Sequence, residues 1–454
     1  MAESGAFFYD SKELLANFAC YTGVGDYREW DFGTMTPLLR KFLGLNWVLL
    51  LSMVGLIVFG VFSIESAARH LPQGGEYYAD RQKVWALIGG VVYLVTALTD
   101  YRWIKYLALP MYLAGLGLMI AAMFVDNEVH QLNFAGVSFQ PAQFMVVAGF
   151  IAMAVMLQQM PRLHPLLDLP IVKVGMIAVM SLVPFALVAL MGDMGSALVW
   201  LPVVGVVMLT GGIPFRYLSF IMLIGLALVP PLFFIVLPSA SERGTQRIEL
   251  YLDMLNDREV DIQGDAYAPH YIGMAVGKAG WKGVGHLADA NKGSIHDKKY
   301  IPWKTAHNDF IFAVIAEEQG FRGSMVLVTI YGVLLIQALF ISYYSRDLSG
   351  QVIVCAVVAL FFAHIFENIG MHIRIMPITG IPLPLISYSG TFLLMCMFML
   401  GLIQSVWIHR NVVPAEDVTK PITLSRRGRR QVIGKRRGEG RSNANEGTQR
   451  GEAL

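Results

Sequence analysis

Ten runs of mostly apolar residues recur along the chain, at 45–64, 84–99, 106–125, 144–160, 171–190, 196–210, 217–237, 323–343, 351–366 and 391–408. A helix needs about 20 such residues to cross the hydrocarbon core of a bilayer, with about 17–25 as the usual range. Several runs fall a few residues short, so interfacial side chains must complete them. The pattern predicts an all-α polytopic membrane protein with about ten transmembrane helices. The polar intervals are unequal: the one between the seventh and eighth runs, 238–309, is a large loop that holds most of the polar chemistry.

Composition agrees. Apolar residues make up 55% of the 454 and charged residues only 15%, where a soluble chain carries about 25% charge. The charge is concentrated in the first 40 residues, in 65–83, in 238–309 and after His409. A soluble enzyme, a secreted disulfide scaffold and a disordered protein are thereby excluded. Cys20, Cys355 and Cys396 suggest neither a disulfide framework nor a zinc site.

Charge placement also predicts orientation. Glu3, Asp10, Glu13 and Asp26 precede the first long apolar run, the wrong polarity for a cleavable signal. The tail after Trp407 carries 11 Lys/Arg against 5 acidic residues, and basic blocks resist translocation. With ten spans both termini are expected in the cytoplasm, which puts Arg102, Lys105, Arg162, Lys173, Arg216 and Arg346 inside. Segments 126–140 and 191–195, without Lys or Arg, fall outside; 65–83 is a mild exception. The expected organisation is a cytoplasmic segment 1–44, a transmembrane domain 45–408 and a basic, disordered tail 409–454 in reach of anionic lipid.

The outer face then collects the unusual segments: 139–144 (FQPAQF), 191–197 (MGDMGSA), the large loop, and 368–390 after the ninth span. Long loops that are not low-complexity linkers usually carry function. Within 377–390, Pro377, Pro382 and Pro384 forbid a regular helix. Such backbone is either a structural re-entrant turn or the wall of a polar groove, and Ser387, Tyr388 and Ser389 supply hydrogen bonds in both cases.

Residues 307–321 (HNDFIFAVIAEEQGF) resemble the signature HTDFIFAVxxEELGF of the SEDS family, which includes RodA, FtsW and SpoVE. Residues 377–390 (PITGIPLPLISYSG) are similar to the same family's PxTGIPLPFISYGG. The stretch 192–198 (GDMGSAL) resembles its PDLGTA element, and 140–144 (QPAQF) its QPSEF. The match runs in order from 45 to 408. It implies a peptidoglycan glycosyltransferase of the bacterial cytoplasmic membrane that polymerises lipid II, usually with a class B penicillin-binding protein. A RodA-like elongation role is slightly favoured by 275–277.

Glycosyl transfer from a polyprenyl pyrophosphate needs a base for the acceptor hydroxyl and cationic groups or a metal for the leaving pyrophosphate. The resemblance implies an essential loop aspartate in a DPxGxGY context. Residues 261–267 (DIQGDAY) keep the Asp, the first Gly and the Tyr, giving Asp261. Counting from 251–253 (YLD), similar to an upstream FLDP, gives Asp257 instead. Asp265 stands where the family has a small residue. Asp193 is either the N-cap of the sixth span or a cavity carboxylate that orients substrate or holds a metal.

Arg81, Arg247, Lys304 and Arg374 are candidate phosphate partners, with His307 and Ser387 also expected at the substrate. Glu317 and Glu318 are expected to fix the start of the eighth span through ion pairs. A divalent cation, Mg or Mn, is the expected cofactor, and no nucleic-acid partner is expected. The segment 273–279 lacks the spacing of a P-loop, and His270, His286, His296 and His307 lack zinc-ligand spacing. The chain departs from QPSEFxK: Ala142 and Gln143 replace the Ser and Glu, and Met145 with its apolar neighbours stands near the Lys position. A lipid II flippase and a non-catalytic scaffold for a penicillin-binding protein are the alternative readings.

Overall fold

A computed structural model describes residues 41–125, 132–134, 137–191, 193–231, 242–256, 258, 260–264, 266–289 and 293–410. The two terminal segments expected from charge lie almost wholly outside these residues, as do Asp257, Asp265 and Gly192.

Every apolar run coincides with a helix over its described residues. In chain order these are α1 (Trp47–Ala67), α2 (Gly74–Leu98), α3 (Ile104–Met123), α4 (Pro141–Leu163), α5 (Pro170–Leu190), α6 (Met194–Thr210) and α7 (Phe215–Pro231). Two further helices, α8 (Glu242–Leu255) and α9 (Tyr267–Lys278), lie in the large loop. Then follow α10 (Ile311–Tyr344), α11 (Leu348–His372) and α12 (Gly390–His409). Among the described residues, seven helices are long and apolar enough to cross a membrane by themselves, and a shorter apolar helix covers 195–210. The only sheet among them is a hairpin, Leu132–Phe134 against Val137–Phe139, leading into α4.

Local signals start these helices. The Asn46 side chain accepts from the Leu49 N–H at 3.0 Å to cap α1, and Asp347 accepts from Gly350 at 3.1 Å to cap α11. Pro141 and Pro170 open α4 and α5, where no amide donor is needed. The core lies along α4, α11 and α12: 72% of the most apolar window of α4 is buried, against 17% for α5. On α5, Ile171, Val179, Leu182 and Val183 face outward, a surface suited to lipid rather than water.

Two helices begin ten or more residues ahead of their apolar runs. α2 begins at Gly74, ten residues before position 84, because Glu76, Asp80, Arg81 and Lys83 depress hydropathy without breaking the helix. α10 begins at Ile311 and is interrupted at Gly320, whose φ of 67° and ψ of −163° are not helical. Gly283 sits against the break with φ of 72°. The strands of backbone zip together there: Val284 N–H donates to Glu317 O and Phe321 N–H to Gly280 O, both at 2.9 Å.

The proline-rich stretch after α11 is non-helical through Ser389 and folds back into the bundle. Ile381, Leu383, Leu385 and Ile386 are fully buried in it. Gly60 of α1 makes room, since a Cβ there would lie 2.8 Å from Ile386 Cα. Irregular backbone is tolerable at this depth because protein covers it and bonds it: Tyr331 OH donates to the Pro384 carbonyl.

Candidate active site

At the loop end of the bundle α8, the first turn of α9, Phe310 and the segment after α11 enclose a cavity of about 460 Å³. Its walls are chiefly apolar, with Leu250, Met254, Met371 and Ile378 among them, and two guanidinium groups, Arg247 and Arg374, open onto it. Arg374 adopts φ of 60°, which a non-glycine residue holds only under constraint. The constraint is visible: its Nη2 donates to the carbonyls of Pro269 (3.4 Å) and His270 (3.3 Å). Gly273 allows this approach, because a Cβ there would sit 2.3 Å from Arg374 Nε. Tyr251 OH donates to Ile375 O at 2.7 Å and joins α8 to the same segment. An apolar chamber with two cations on its wall, Arg374 held in place and Arg247 exposed, suits an anionic amphiphile.

Three carboxylates are linked through Asp193, and one of them, Asp309, adjoins the chamber. Asp309, next to the cavity-lining Phe310, feels both Arg247 and Asp193; burial pushes its carboxyl up to about 7, Asp193 adds to the rise and Arg247 opposes it. Asp193 caps α6: Oδ1 accepts from Ser196 N–H at 3.0 Å, and Oδ2 accepts from Ser196 Oγ (2.7 Å) and Gln140 Nε2 (2.8 Å). Glu367 of α11 lies within electrostatic reach of Asp193, is 4% exposed, and keeps one buried oxygen without a protein partner. Asp309 and Glu367 were passed over in the sequence although both lie in or beside the recognised motifs. Only the approach of residues 193, 309 and 367 in space distinguishes them.

Across the re-entrant stretch is an aromatic cluster. Arg81 donates to Tyr77 OH at 3.0 Å, and Tyr78, His307 and Tyr388 pack with ring centroids 5.1–5.3 Å apart. Burial pushes His307 down to about 4, so its ring is neutral at pH 7 and supplies no charge to a phosphate. Ser387 is turned inward: it donates to Asn308 O at 2.6 Å and accepts from Leu383 N–H at 2.8 Å. Its hydroxyl helps to hold the turn, donating once and accepting once.

Other expected residues stand apart. Asp261 lies in an exposed turn just before α9, its Oδ1 accepting from Gln263 N–H at 2.9 Å. Lys304 is exposed beside the Trp303 ring. Glu317 and Glu318 do fix the start of α10, but mainly by binding backbone. Glu317 accepts from the N–H groups of Ile295 and His296, and Glu318 from Leu287 N–H and Ser66 Oγ. Their one described ion pair is His286 with Glu318 at 3.2 Å. Ala142, Met145 and Val146 are buried against neighbouring helices, an environment that accepts neutral side chains and penalises an ionised pair.

As for a metal, no group of three or more His, Cys, Asp or Glu among the described residues converges on a common point. Asp193 is committed to its cap. The protein side chains in view therefore do not form a cation site.

The profile of the FtsW/RodA/SpoVE family, described as cell cycle protein, matches residues 42–412. The peptidoglycan glycosyltransferase MrdB of Escherichia coli K12 is 30% identical over 239 residues, covering 53% of this chain and 61% of that protein. The chain thus spans about three fifths of the length of the MrdB relatives it matches. The probable peptidoglycan glycosyltransferase FtsW of Trichlorobacter lovleyi is 28% identical over 396 residues, 84% of this chain and 98% of that protein. In fold, the chain is similar to a chain of a peptidoglycan synthase complex, with TM-score 0.65, 24% identity and 81% and 99% of the two chains covered. It is also similar to the rod shape determining protein RodA of Thermus thermophilus, with TM-score 0.57, 23% identity and 82% and 99% covered.

Proposed function

From a chain that belongs to the FtsW/RodA/SpoVE family, we propose a peptidoglycan glycosyltransferase that polymerises lipid II at the outer face of the bacterial cytoplasmic membrane. The observation that carries the reading is the apolar cavity with Arg247 and Arg374 on its wall. An isoprenoid pyrophosphate has the same division into apolar tail and doubly charged head. In this reading the two guanidinium groups hold the pyrophosphate as its bond to the sugar breaks and charge grows on the leaving oxygen. A loop aspartate, Asp261 or Asp257, takes the proton of the attacking hydroxyl. Asp261 sits just before α9, whose Ala268 and Pro269 line the cavity.

Arg81, Lys304 and His307 belong to the surrounding face; in this reading Arg81 and Lys304 draw the anionic substrate in. A divalent cation, Mg or Mn, would supply further charge neutralisation for the leaving pyrophosphate. The similarity to a chain of a peptidoglycan synthase complex supports a class B penicillin-binding protein as partner. Both termini then lie in the cytoplasm.

The test is purified full-length protein with its partner, lipid II and Mg, assayed for glycan chains. Polymer from the wild type, lost in Asp261→Asn and kept in Asp257→Asn, is the expected outcome. The reverse pattern moves the base to Asp257, and lipid II translocation without polymer refutes the transferase reading.

A further inference from the structure

Two lipid-facing stripes end beside the same piece of the large loop. On α1 the exposed apolar residues Leu51, Val54, Val58 and Phe62 share one side of the helix, and on α10 Phe321, Met325, Ile336 and Tyr343 do the same. Segment 281–287 spans the gap between their loop-side ends. Trp281 packs on Phe321 with ring centroids 5.3 Å apart, and the His286 ring stacks on Phe62 at 3.9 Å. Backbone bonds fix the segment to α10: Arg322 N–H donates to Trp281 O at 3.3 Å, and Gly285 N–H to Glu318 O at 2.9 Å.

The length of α10 sets the depth of this segment. Phe321 and Tyr343 are about 33 Å apart along the helix, at about 1.5 Å per residue. The hydrocarbon core is about 30 Å thick, so Trp281, beside Phe321, stands where hydrocarbon meets headgroups. Trp281 is 65% exposed, and Leu287, also exposed, holds φ of 51°, a conformation that costs a leucine energy. Water rewards neither choice; a lipid interface rewards both. Lys282 and Arg322, the residues that follow Trp281 and Phe321, are exposed, and Lys278 closes α9 just before them. An apolar edge with cations beside it complements the acyl chains and phosphates of a lipid surface.

We propose that residues 278–287 form a membrane-interface anchor for the large loop. Trp281 and Leu287 rest among the headgroups and upper acyl chains of the leaflet on the loop's side, and Lys282 and Arg322 bind the headgroups of anionic phospholipid. The contact is non-covalent. α9 ends at Lys278, next to the anchor, and its Ala268 and Pro269 line the cavity. The anchor therefore ties the height of the cavity to the lipid surface, whatever ligand the cavity takes.

The test uses the full chain in nanodiscs of equal phosphatidylglycerol and phosphatidylethanolamine. The photo-crosslinker p-benzoylphenylalanine replaces one residue, and adducts are identified after irradiation by mass spectrometry. Ile336, exposed on the α10 stripe, gives the phospholipid-adduct yield for a side chain in full contact with lipid. The label in place of Trp281 is expected to give a comparable yield. Its adducts are expected to favour phosphatidylglycerol by about fivefold for each cation engaged. The double variant Lys282→Gln, Arg322→Gln is expected to bring that ratio near one. No lipid adduct at 281 while Ile336 is labelled, or a link to another protein chain in its place, overturns the proposal. An even lipid ratio with both cations present overturns it too. Should the label at 281 prevent folding, Leu287 carries it instead, with the same outcomes deciding.

Discussion

Gly320→Ala probes the joint between the large loop and the bundle. Gly320 occupies φ of 67° and ψ of −163°, a region nearly reserved for glycine, and a side chain there costs about 1–3 kcal/mol in backbone strain. The Cβ would also lie 2.3 Å from Gly283 N and 2.7 Å from Trp281 O. Both are backbone atoms that cannot swing aside, so the 280–285 segment must lift. The nearest bonds to open are Phe321 N–H to Gly280 O (2.9 Å) and Arg322 N–H to Trp281 O (3.3 Å). At about 0.5–1.5 kcal/mol net for each, they bring the total to roughly 2–6 kcal/mol.

Amide hydrogen exchange reads this directly. Protection at 280–285 and 320–322 is expected to drop by about 30-fold or more, since 1.4 kcal/mol is about tenfold. Gly332→Ala, on the same helix with open space around its Cβ, is expected to leave exchange at both segments unchanged and to gain up to about 1 kcal/mol in helix propensity. Unaltered protection in Gly320→Ala refutes the account of the joint.

Other outcomes follow from the site and its supports. Glu317→Ala leaves the buried N–H groups of Ile295 and His296 without acceptors, at about 1–3 kcal/mol each, so exchange at 294–296 accelerates while α12 stays protected. Arg374→Lys keeps the charge but loses the planar fork held by α9, and is expected to raise the KM for lipid II severalfold with a smaller effect on kcat. Burial pushes His296 down to about 3 and lowers His70, with Arg69 adding to both. Their stabilising effect is complete above the unfolded value of 6.5 and is lost as pH falls from there. For His296 the loss is about 1.4 kcal/mol per pH unit down to about 3. His296→Asn is expected to flatten the acid side of a Tm-against-pH curve, and an unchanged slope refutes the assignment.

The bilayer makes the spans easy to read and the site hard. The apolar runs answer to hydrocarbon thickness, so each of the ten falls on a helix over its described residues. Where α2 runs on past its apolar part, Glu76 and Arg81 hide it, because a helix outside hydrocarbon needs no apolar stretch. The cap role of Asp193 was legible as one of two readings, since Ser196 stands three residues on. Asp309 and Glu367 were not, because each is distinguished by its approach to Asp193, 116 and 174 positions earlier in the sequence. Ser387 illustrates the converse: nothing in a proline-rich sequence tells that the turn itself bonds the hydroxyl.

The bond between Ser66 and Glu318 joins residues 252 apart in the chain. Arg69 reaches the carbonyl of Ala288 and the His296 ring meets the Ser66 carbonyl in the same place. The first helix can enter the bilayer soon after it leaves the ribosome, yet Ser66 and Arg69 at its far end meet Glu318 and Ala288 only after six more apolar helices have been made. Biogenesis therefore has a late closing step, in which the large loop in the middle of the chain returns to seal its beginning. A nascent chain stalled before residue 318 would present that unsealed end to any quality-control protease on the same side of the membrane.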